Sequence, residues 1–183
     1  VIDSSEALVT RNGAGIDKPA DLKGKRIAVP IGSTAHFSLM GALKMYNLTE
    51  KDVTVVGMSP AEIAAAWAQN AVDAAFVWYP VQAKIRENGK VMTTAGVVAK
   101  TGFPTFNGWV ATNKFAAANR AGLVNFLKAM NEINGDYSKN KAAWNADSPK
   151  VKAVAANVGI TPAAVVAALD GAIYPDGELN MSA

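Results

Sequence analysis

Between Asp21 and Thr94, short apolar runs alternate with helical patterns, and this alternation restricts the possible folds more than any other feature of the chain. The predicted elements, in chain order, are strand 25–30, helix 33–46, strand 53–58, helix 60–70, strand 74–78, helix 80–87 and strand 90–94. Strands joined through helices need crossover connections, which place neighbouring strands parallel. The sequence therefore predicts an α/β fold with a mostly parallel sheet flanked by helices.

The chain changes character after Gly102. A strand is predicted over residues 106–112, and further helices are predicted over 121–137 and after the Ser-Pro and Thr-Pro pairs at 148–149 and 161–162. A short apolar run at residues 7–9 indicates a strand that we expect to belong with this second part. Because these helices have no sheet of their own to cover, we expect an exposed apolar surface on them.

Composition excludes several classes of function. The 183 residues include no Cys and a single His, His36, which removes thiol nucleophiles, disulfides and Cys-based zinc sites. Lys and Arg number 18 against 15 Asp and Glu, a net charge of +3, and they are scattered, so no nucleic-acid surface is expected. No apolar run approaches the roughly 18 residues of a membrane helix, and we expect any export signal to have been removed or never to have existed.

The junction between the first predicted strand and helix has the residue types of an anion site. Backbone N–H groups at a helix start lack internal acceptors, and the helix dipole adds partial positive charge there. The hydroxyls of Ser33 and Thr34 and a ring N–H of His36 are further possible donors. The alternative is that Ser33 only caps the helix and His36 packs under the loop. The pattern alone leaves both interpretations open.

Weaker candidates lie elsewhere along the chain. Ser59 begins a second helix, in a Ser-Pro-Ala-Glu sequence that has the form of a capping box. Trp78 and Tyr79 follow a buried strand, where aromatic residues either wall a pocket or cap the core. Asn107 and Trp109 lie in the predicted strand 106–112, and Asn107 is either a satisfied turn residue or a hydrogen-bonding group directed into a cleft.

Common enzyme motifs do not occur. The chain has no Walker sequence, no Gly-x-Gly-x-x-Gly and no Gly-x-Ser-x-Gly. His36 would have to be the base of any Ser-His-Asp triad, and nothing in the sequence places Asp73 or another acid beside it. Paired acids suited to metal or glycosidic chemistry are not apparent. We therefore expect a binding protein, not an enzyme, with no cofactor and no metal.

Several blocks of the chain resemble the substrate-binding proteins of taurine and aliphatic-sulfonate ABC importers. They are residues 21–30 (DLKGKRIAVP), 32–39 (GSTAHFSL), 60–67 (PAEIAAAW), 72–80 (VDAAFVWYP) and 103–110 (FPTFNGWV). The resemblance extends from about residue 8 to residue 174, and the blocks at 32–39 and 72–80 are most similar to the taurine branch.

The resemblance implies a two-lobed fold like that of type II periplasmic binding proteins, with sheets that are mostly parallel or mixed. It implies that residues 11–103 are a nearly complete ligand-binding lobe. Residues 1–10 and 104–183 would be hinge strands and the helical part of an incomplete second lobe, and we expect further family segments before and after the matched part.

The implied function is capture of a small organosulfonate such as taurine in the periplasm and delivery to an ABC permease and its ATPase. We expect a monomer that contacts the membrane only through the permease. The implied site residues are Ser33, Thr34, Ala35, His36 and Trp78. The position of Asn107 is commonly Asp in the taurine branch, suited to an ammonium group, and Asn supplies no charge there.

Other functions stay open at this level. The same fold could bind another small anion or zwitterion, such as an aminophosphonate, a nitrate-like anion or a pyrimidine precursor. From a different class, it serves as the effector domain of transcription regulators and as the scaffold of some transferases. Neither a helix-turn-helix nor a cleft nucleophile is visible in the chain.

Overall fold

The computed structural model describes residues 2–3, 5–170 and 172–173. These residues divide into two units. The first comprises Ile2–Phe106 and Ala167–Ala172, and the second comprises Asn107–Val166 together with Ile173.

Strands and helices alternate in the first unit, and helices dominate the second. The strands within the described residues are β1 (Ile2–Asp3), β2 (Ala7–Arg11), β3 (Arg26–Val29), β4 (Thr54–Gly57), β5 (Ala74–Val77), β6 (Gly89–Thr94) and β7 (Ala172–Ile173). The α-helices are α1 (Thr34–Met45), α2 (Pro60–Ala68), α3 (Val81–Arg86), α4 (Ala95–Ala99), α5 (Asn113–Ala118), α6 (Arg120–Lys139), α7 (Pro149–Val158) and α8 (Pro162–Asp170). Short 3-10 helices cover Pro19–Leu22, Glu50–Asp52 and Lys141–Ala143.

A five-stranded sheet in the order β4-β3-β5-β2-β6 forms the centre of the first unit, and β1 pairs with β7 in a separate two-stranded sheet. Strands β4, β3 and β5 are parallel neighbours, whereas β2 runs antiparallel to both β5 and β6. Four of the five strands therefore point the same way. The predicted α/β class and mostly parallel sheet are confirmed, with β2 as the one reversed strand.

The position of β2 corrects one expectation. The run at residues 7–9 does not belong with the second part of the chain, because β2 lies between β5 and β6, with Ala7 opposite Val77 and Val9 opposite Ala75 on the β5 side. Leu8 and Val9 are both fully buried although they point to opposite faces. A strand that is apolar on both faces is stable only inside a sheet covered on both sides, and the five-stranded sheet provides that position.

The core of the first unit occupies both faces of this sheet. Leu8 and Phe76 pack with Leu39 and Leu43 of α1 and with Val98 of α4 on one face. On the other face, the alternate strand residues, Val9 and Val77, pack with side chains of α2 and α3. The register of successive residues thus places a helix layer on each side of the sheet.

Most predicted elements begin and end close to their expected positions, but the predicted strand over 106–112 is wrong. The segment has no regular secondary structure, and all of its residues are exposed. Phe106 and Val110 have relative solvent accessibilities of 80% and 97%. Alternation of apolar and polar residues predicts a strand only where a neighbouring strand can pair with its backbone groups. Within the described residues no strand pairs with this segment.

Helices α5 to α7 and most of α8 make up the second unit, which has a small core. The buried apolar side chains there are Tyr137, Trp144, Val151, Ala155 and Val165. Asp136 of α6 accepts hydrogen bonds from the indole nitrogen of Trp144, at 2.9 Å, and from the ammonium of Lys150, at 2.5 Å. These bonds, with an edge-to-face contact between the rings of Tyr137 and Trp144, tie α6 to the start of α7.

The exposed apolar surface expected on these helices is confirmed. Phe115, Leu127, Ile133 and Val158 each expose about half of their side chains. No single helix in the described ranges has the length and apolarity of a membrane-spanning segment. One pair of consecutive helices has that length and apolarity only when the two are taken together. They are Pro149–Val158 and Pro162–Asp170, and the chain bends by 100° between them.

Candidate functional site

One edge of the five-stranded sheet collects the starts of several helices. The carboxyl ends of β3, β4 and β6 lie at this edge, and each leads into a helix whose first turn is capped by a hydroxyl. Ser33 caps α1, Ser59 caps α2 and Thr94 caps α4. Because β2 is reversed, its amino-terminal end, which follows Glu6, lies at the same edge. The positive ends of the α1 and α2 dipoles therefore lie at the edge where open α/β sheets bind ligands.

The start of α1 is held by Ser33. Its side-chain oxygen accepts a hydrogen bond from the amide of His36 at 3.2 Å, and its hydroxyl donates to the carbonyl of Pro30 at 2.6 Å. The carbonyl of Ser33 accepts the amide of Phe37 at 3.2 Å. By helix geometry, the amides of Thr34 and Ala35 have no acceptor inside the helix. They are the backbone donors that α1 can offer to a ligand.

A buried acid contacts this helix start. The hydroxyl of Thr34 donates to the carboxylate of Glu6 at 2.5 Å. Glu6 is only 3% exposed, and its backbone carbonyl accepts the amide of Ala95 at 2.9 Å, which holds the residue against α4. The side chain of Glu6 is thus fixed beside the first residue of α1.

His36 supports the turn that precedes α1. Its Nδ1 accepts a hydrogen bond from the amide of Gly32 at 3.3 Å, and its Nε2 is buried with no hydrogen-bond partner within the described residues. A neutral imidazole that accepts at Nδ1 carries its proton on Nε2. The ring nitrogen expected to serve a ligand is therefore covered, and in this structure the side chain stabilises the turn around Gly32.

The hydroxyl groups expected as anion donors are engaged by the protein. The proton of Ser33 is directed to Pro30, and the proton of Thr34 is directed to Glu6. What the edge offers an anion is the amides of Thr34 and Ala35 together with the helix dipole.

The other candidates of the first unit lie at the same edge. Trp78 directly follows β5, is half-buried and packs against the core beneath α1. Tyr79 follows it and is half-buried, and Ser59 is exposed at the start of α2, where Glu62 completes the capping box. The topology therefore brings Ser33, Thr34, Ala35, His36, Trp78, Tyr79 and Ser59 to one edge of one sheet.

Asn107 and Trp109 belong to the second unit. Both are exposed in the irregular segment that replaces the predicted strand. Trp109 is 71% exposed and makes an edge-to-face contact with Phe126 of α6, the ring centroids lying 5.1 Å apart.

Asp73 lies at the opposite edge of the sheet, just before β5. Its carboxylate accepts hydrogen bonds from the guanidinium of Arg26 at 3.1 and 3.2 Å and lies 3.6 Å from that of Arg11. The bonds from Arg26 lower the pKa of Asp73 below its ordinary value. A four-residue strand spans about 10 Å, so Asp73 does not reach His36 at the other edge. Through Arg26 and Arg11 it joins the ends of three strands.

Sequence reasoning missed Glu6. The signal was present, since a Glu precedes the apolar run of β2, and a charged residue at the end of a fully buried strand needs a partner. That partner, Thr34, is 28 residues away, so no local pattern identifies it. Among the described residues, no group of three or more His, Asp or Glu side chains is placed to hold a metal ion.

Comparison with known proteins identifies relatives along most of the chain. A sequence profile of the family described as NMT1/THI5 like matches residues 1–134. The taurine-binding periplasmic protein of Escherichia coli K12 is 34% identical over 173 residues, which cover 94% of this chain and 53% of that protein. The chain thus spans about half the length of this relative.

Solved structures extend the similarity to the fold. The alkanesulfonate-binding protein SsuA from Xanthomonas axonopodis pv. citri, bound to MOPS, superposes with a TM-score of 0.74 at 25% identity, covering 94% of this chain and 57% of that one. A more distant neighbour, the desulfurization enzyme DSZB, has a TM-score of 0.62 at 18% identity, covering 93% of this chain and 62% of that one. At that identity the likeness concerns the fold alone.

Proposed function

The chain belongs to the NMT1/THI5-like family, and we propose that it is part of a solute-binding protein that captures a small organosulfonate such as taurine and delivers it to an ABC importer. The observation that carries this proposal is the 34% identity over 173 residues to a taurine-binding periplasmic protein. The MOPS-bound neighbour supports the same ligand class, because MOPS is itself a sulfonate.

We place the sulfonate group on the start of α1. There the amides of Thr34 and Ala35 would donate to its oxygens, and the helix dipole would add about 0.3–2 kcal/mol of favourable interaction. Ser33 would hold the turn in this shape through its bonds to Pro30 and His36. Trp78 would flank the organic part of the ligand from the end of β5.

Binding would act through closure of two lobes. Ile2–Phe106 contains a complete sheet with helices on both faces and would form one lobe. A ligand that stabilises the closed state shifts the protein toward it by a hinge motion, and the closed state would be what the permease and its ATPase recognise. The named relative is periplasmic, and we propose the same location for this protein, acting as a monomer.

We propose binding without covalent chemistry. The sequence offers no Cys, and the hydroxyl of Ser33 at the α1 start donates its proton to a backbone carbonyl. A hydroxyl nucleophile needs a base that accepts its proton, and His36 accepts from the amide of Gly32 instead. Ser33 and His36 at the α1 start therefore do not form a nucleophile and base pair.

The test is calorimetric titration of the full-length protein with taurine, ethanesulfonate and sulfate. We expect saturable binding of at least one sulfonate, and no binding of any of the three would refute the proposed function. Ser33→Ala should weaken sulfonate binding by up to about thirtyfold, because the cap that shapes the α1 start contributes about 0.5–2 kcal/mol.

The matched control for this variant is Ser148→Ala. Ser148 caps α7 through the amide of Val151 at 3.2 Å in the same manner. Its removal should cost similar helix stability while leaving sulfonate affinity unchanged. Equal losses of affinity in the two variants would place the sulfonate away from α1.

A further inference from the structure

We infer that Asn107 is a site of spontaneous modification, at which the folded protein converts the side-chain amide to a carboxylate. The chain contains four Asn-Gly pairs, at residues 12–13, 88–89, 107–108 and 134–135. Asparagine is a thermolabile residue, and a following glycine has no Cβ to hinder the approach of its backbone nitrogen. The structure restrains the pair at 107–108 least. The reaction does not depend on the proposed function.

The conversion needs no reactant other than water. The backbone nitrogen of Gly108 gives up its proton and attacks Cγ of Asn107. The new N–C bond closes a five-membered imide, and the bond from Cγ to the amide nitrogen breaks as ammonia leaves. Water then opens the imide at either carbonyl, which gives aspartate or isoaspartate. One amide and one water thus become one carboxylate and one ammonium ion, and nothing is oxidised or reduced.

The pair at 107–108 meets the structural conditions for ring closure. The attacking amide must be free of a hydrogen bond, and the backbone must be able to bring it to the side chain. Within the described residues, neither the amide of Gly108 nor the side chain of Asn107 makes a hydrogen bond. Both residues are exposed in a segment without regular secondary structure, and a Cβ at Gly108 would meet no atom within 4 Å. The segment therefore has room to close the ring.

Two of the other pairs are held by secondary structure. Gly135 lies inside α6, where helix geometry binds its amide to the carbonyl four residues earlier. Gly89 begins β6 opposite Arg11. A Cβ at Gly89 would lie 2.7 Å from the side chain of Val9 and 2.9 Å from that of Trp67, so the backbone has no room to move there. Ring closure at either pair first requires the helix or the strand to open locally.

The pair at 12–13 is intermediate. Both residues are exposed, but the amide of Asn12 donates to the carbonyl of Asn88 at 3.1 Å. The amide of Ala14 donates to the carbonyl of Arg11 at 3.2 Å, which closes the turn around Gly13. We expect slower conversion here than in the irregular segment, and faster conversion than in α6 or β6.

Conversion at Asn107 changes the charge of the protein without a change in its gene. Each converted copy loses one unit of net charge, from +3 to +2 at neutral pH. Isoaspartate also adds one methylene group to the backbone at the residue where the second unit begins. Because Asn107 is one of the candidate site residues, an aged preparation would carry a mixture of side chains at that position.

The test is a time course of the full-length protein at neutral pH. Peptide mass spectrometry after digestion at mildly acidic pH, which suppresses the reaction during handling, quantifies conversion at each Asn-Gly pair. The same incubation in urea gives the rates of the unfolded chain. We expect folding to slow conversion at Asn107 by less than about threefold, and at Asn88 and Asn134 by more than about tenfold. Ion-exchange chromatography should show a form of lower positive charge that grows at the same rate.

Gly108→Ala tests the mechanism of the conversion. Gly108 does not have a left-handed φ, and an added Cβ meets no atom within 4 Å, so the variant should fold like the unmodified protein. The Cβ crowds the attacking nitrogen, and conversion at Asn107 should slow by about tenfold while conversion at Asn12 stays unchanged. Gly135→Ala is the matched control, and it should leave the rate at Asn107 unchanged.

Three results would overturn the inference. Protection of Asn107 as strong as that of Asn134 would mean that hydrogen bonds hold the segment 106–112 in the full-length protein. Equal rates at all four pairs in the folded protein would mean that the structure does not control the reaction. An undiminished rate in Gly108→Ala would mean that the backbone nitrogen is not the attacking group.

Discussion

Replacement of Thr34 by Val tests the contact on which the geometry of the α1 start depends. The change removes one hydroxyl and keeps the branched shape of the side chain. Thr34 donates to Glu6, which is 3% exposed, so the carboxylate would lose a hydrogen bond that water cannot easily replace. Hydrogen bonds to charged groups contribute about 1.5–3 kcal/mol, and the added methyl group would recover up to about 0.8 kcal/mol. We expect a net loss of about 1–2 kcal/mol in the free energy of unfolding.

Urea denaturation at neutral pH measures this loss. With a slope of about 2 kcal/mol per molar urea, in the middle of the usual range, the midpoint should fall by roughly 0.5–1 M. Thr34→Ser keeps the hydroxyl and serves as the control, so its midpoint should stay close to that of the unmodified protein. In a Glu6→Gln background the bond becomes neutral and contributes about 0.5–1.5 kcal/mol. With the same methyl gain of up to about 0.8 kcal/mol, the cost of Thr34→Val should fall below about 1 kcal/mol.

A Thr34→Val loss below about 0.5 kcal/mol would refute this reasoning, because it would mean that the bond to Glu6 adds nothing to stability. The same conclusion would follow if Thr34→Ser were as destabilised as Thr34→Val. An unchanged cost in the Glu6→Gln background would show that the hydroxyl matters for a reason other than the carboxylate.

Further predictions concern packing, pH and ligand charge. Gly41→Ala should lower the free energy of unfolding by up to about 2 kcal/mol, measured in urea. A Cβ there would lie 2.8 Å from the Cβ and Cγ of Phe103, and the overpacking cost of about 1–3 kcal/mol is only partly offset by a gain in helix propensity of about 1 kcal/mol. The hydrogen bond from Lys150 is the main reason that the pKa of Asp136 falls from 3.8 to about 2. Its stabilising effect is therefore complete above pH 3.8 and lost as the pH falls through about 2, and Asp136→Asn should flatten acid unfolding in this window. Asn107→Asp should raise taurine affinity in calorimetry, because an added carboxylate can pair with the ammonium.

Each of these predictions has a matched control. Gly135→Ala should stabilise α6, since a Cβ at that position meets no atom within 4 Å, and a stabilising Gly41→Ala would contradict the packing argument. Asp147→Asn changes a carboxylate that is 99% exposed, and it should not alter the acid profile; an Asp136→Asn profile as steep as that of the unmodified protein would contradict the pH argument. Asn107→Gln keeps the amide and should not raise taurine affinity. An unchanged affinity in Asn107→Asp would count against an ammonium at that position.

Local patterns predicted the elements that local chemistry determines. The Ser33 and Ser59 caps begin α1 and α2 where the sequence indicated, because an N-cap needs only residues within one turn. The apolar sequence of β5 likewise predicts a buried strand, since a strand that is covered on both faces must be apolar throughout. Helix caps and buried apolar strands of this kind are sufficient to predict the α/β class from the sequence.

What the sequence could not predict depends on partners that are distant along the chain. The place of β2 is set by backbone bonds to β5 and β6, which lie far away in the sequence. The segment 106–112 has a strand-like pattern, but a strand exists only where a neighbour pairs with it. The same limit applied to Glu6, whose meaning depends on Thr34 and not on its own neighbours in the chain.

The reversed direction of β2 determines which side chains lie at the edge where α1 and α2 begin. If β2 were parallel to β5, the residue before it would lie at the opposite edge, near Asp73, where arginines already balance the charge. Because β2 is antiparallel to β5, Glu6 lies at the edge of the sheet where α1 and α2 begin. Positive helix ends can help to compensate a buried carboxylate. The reversed direction of β2 is therefore what brings Glu6 into contact with Thr34 at the start of α1.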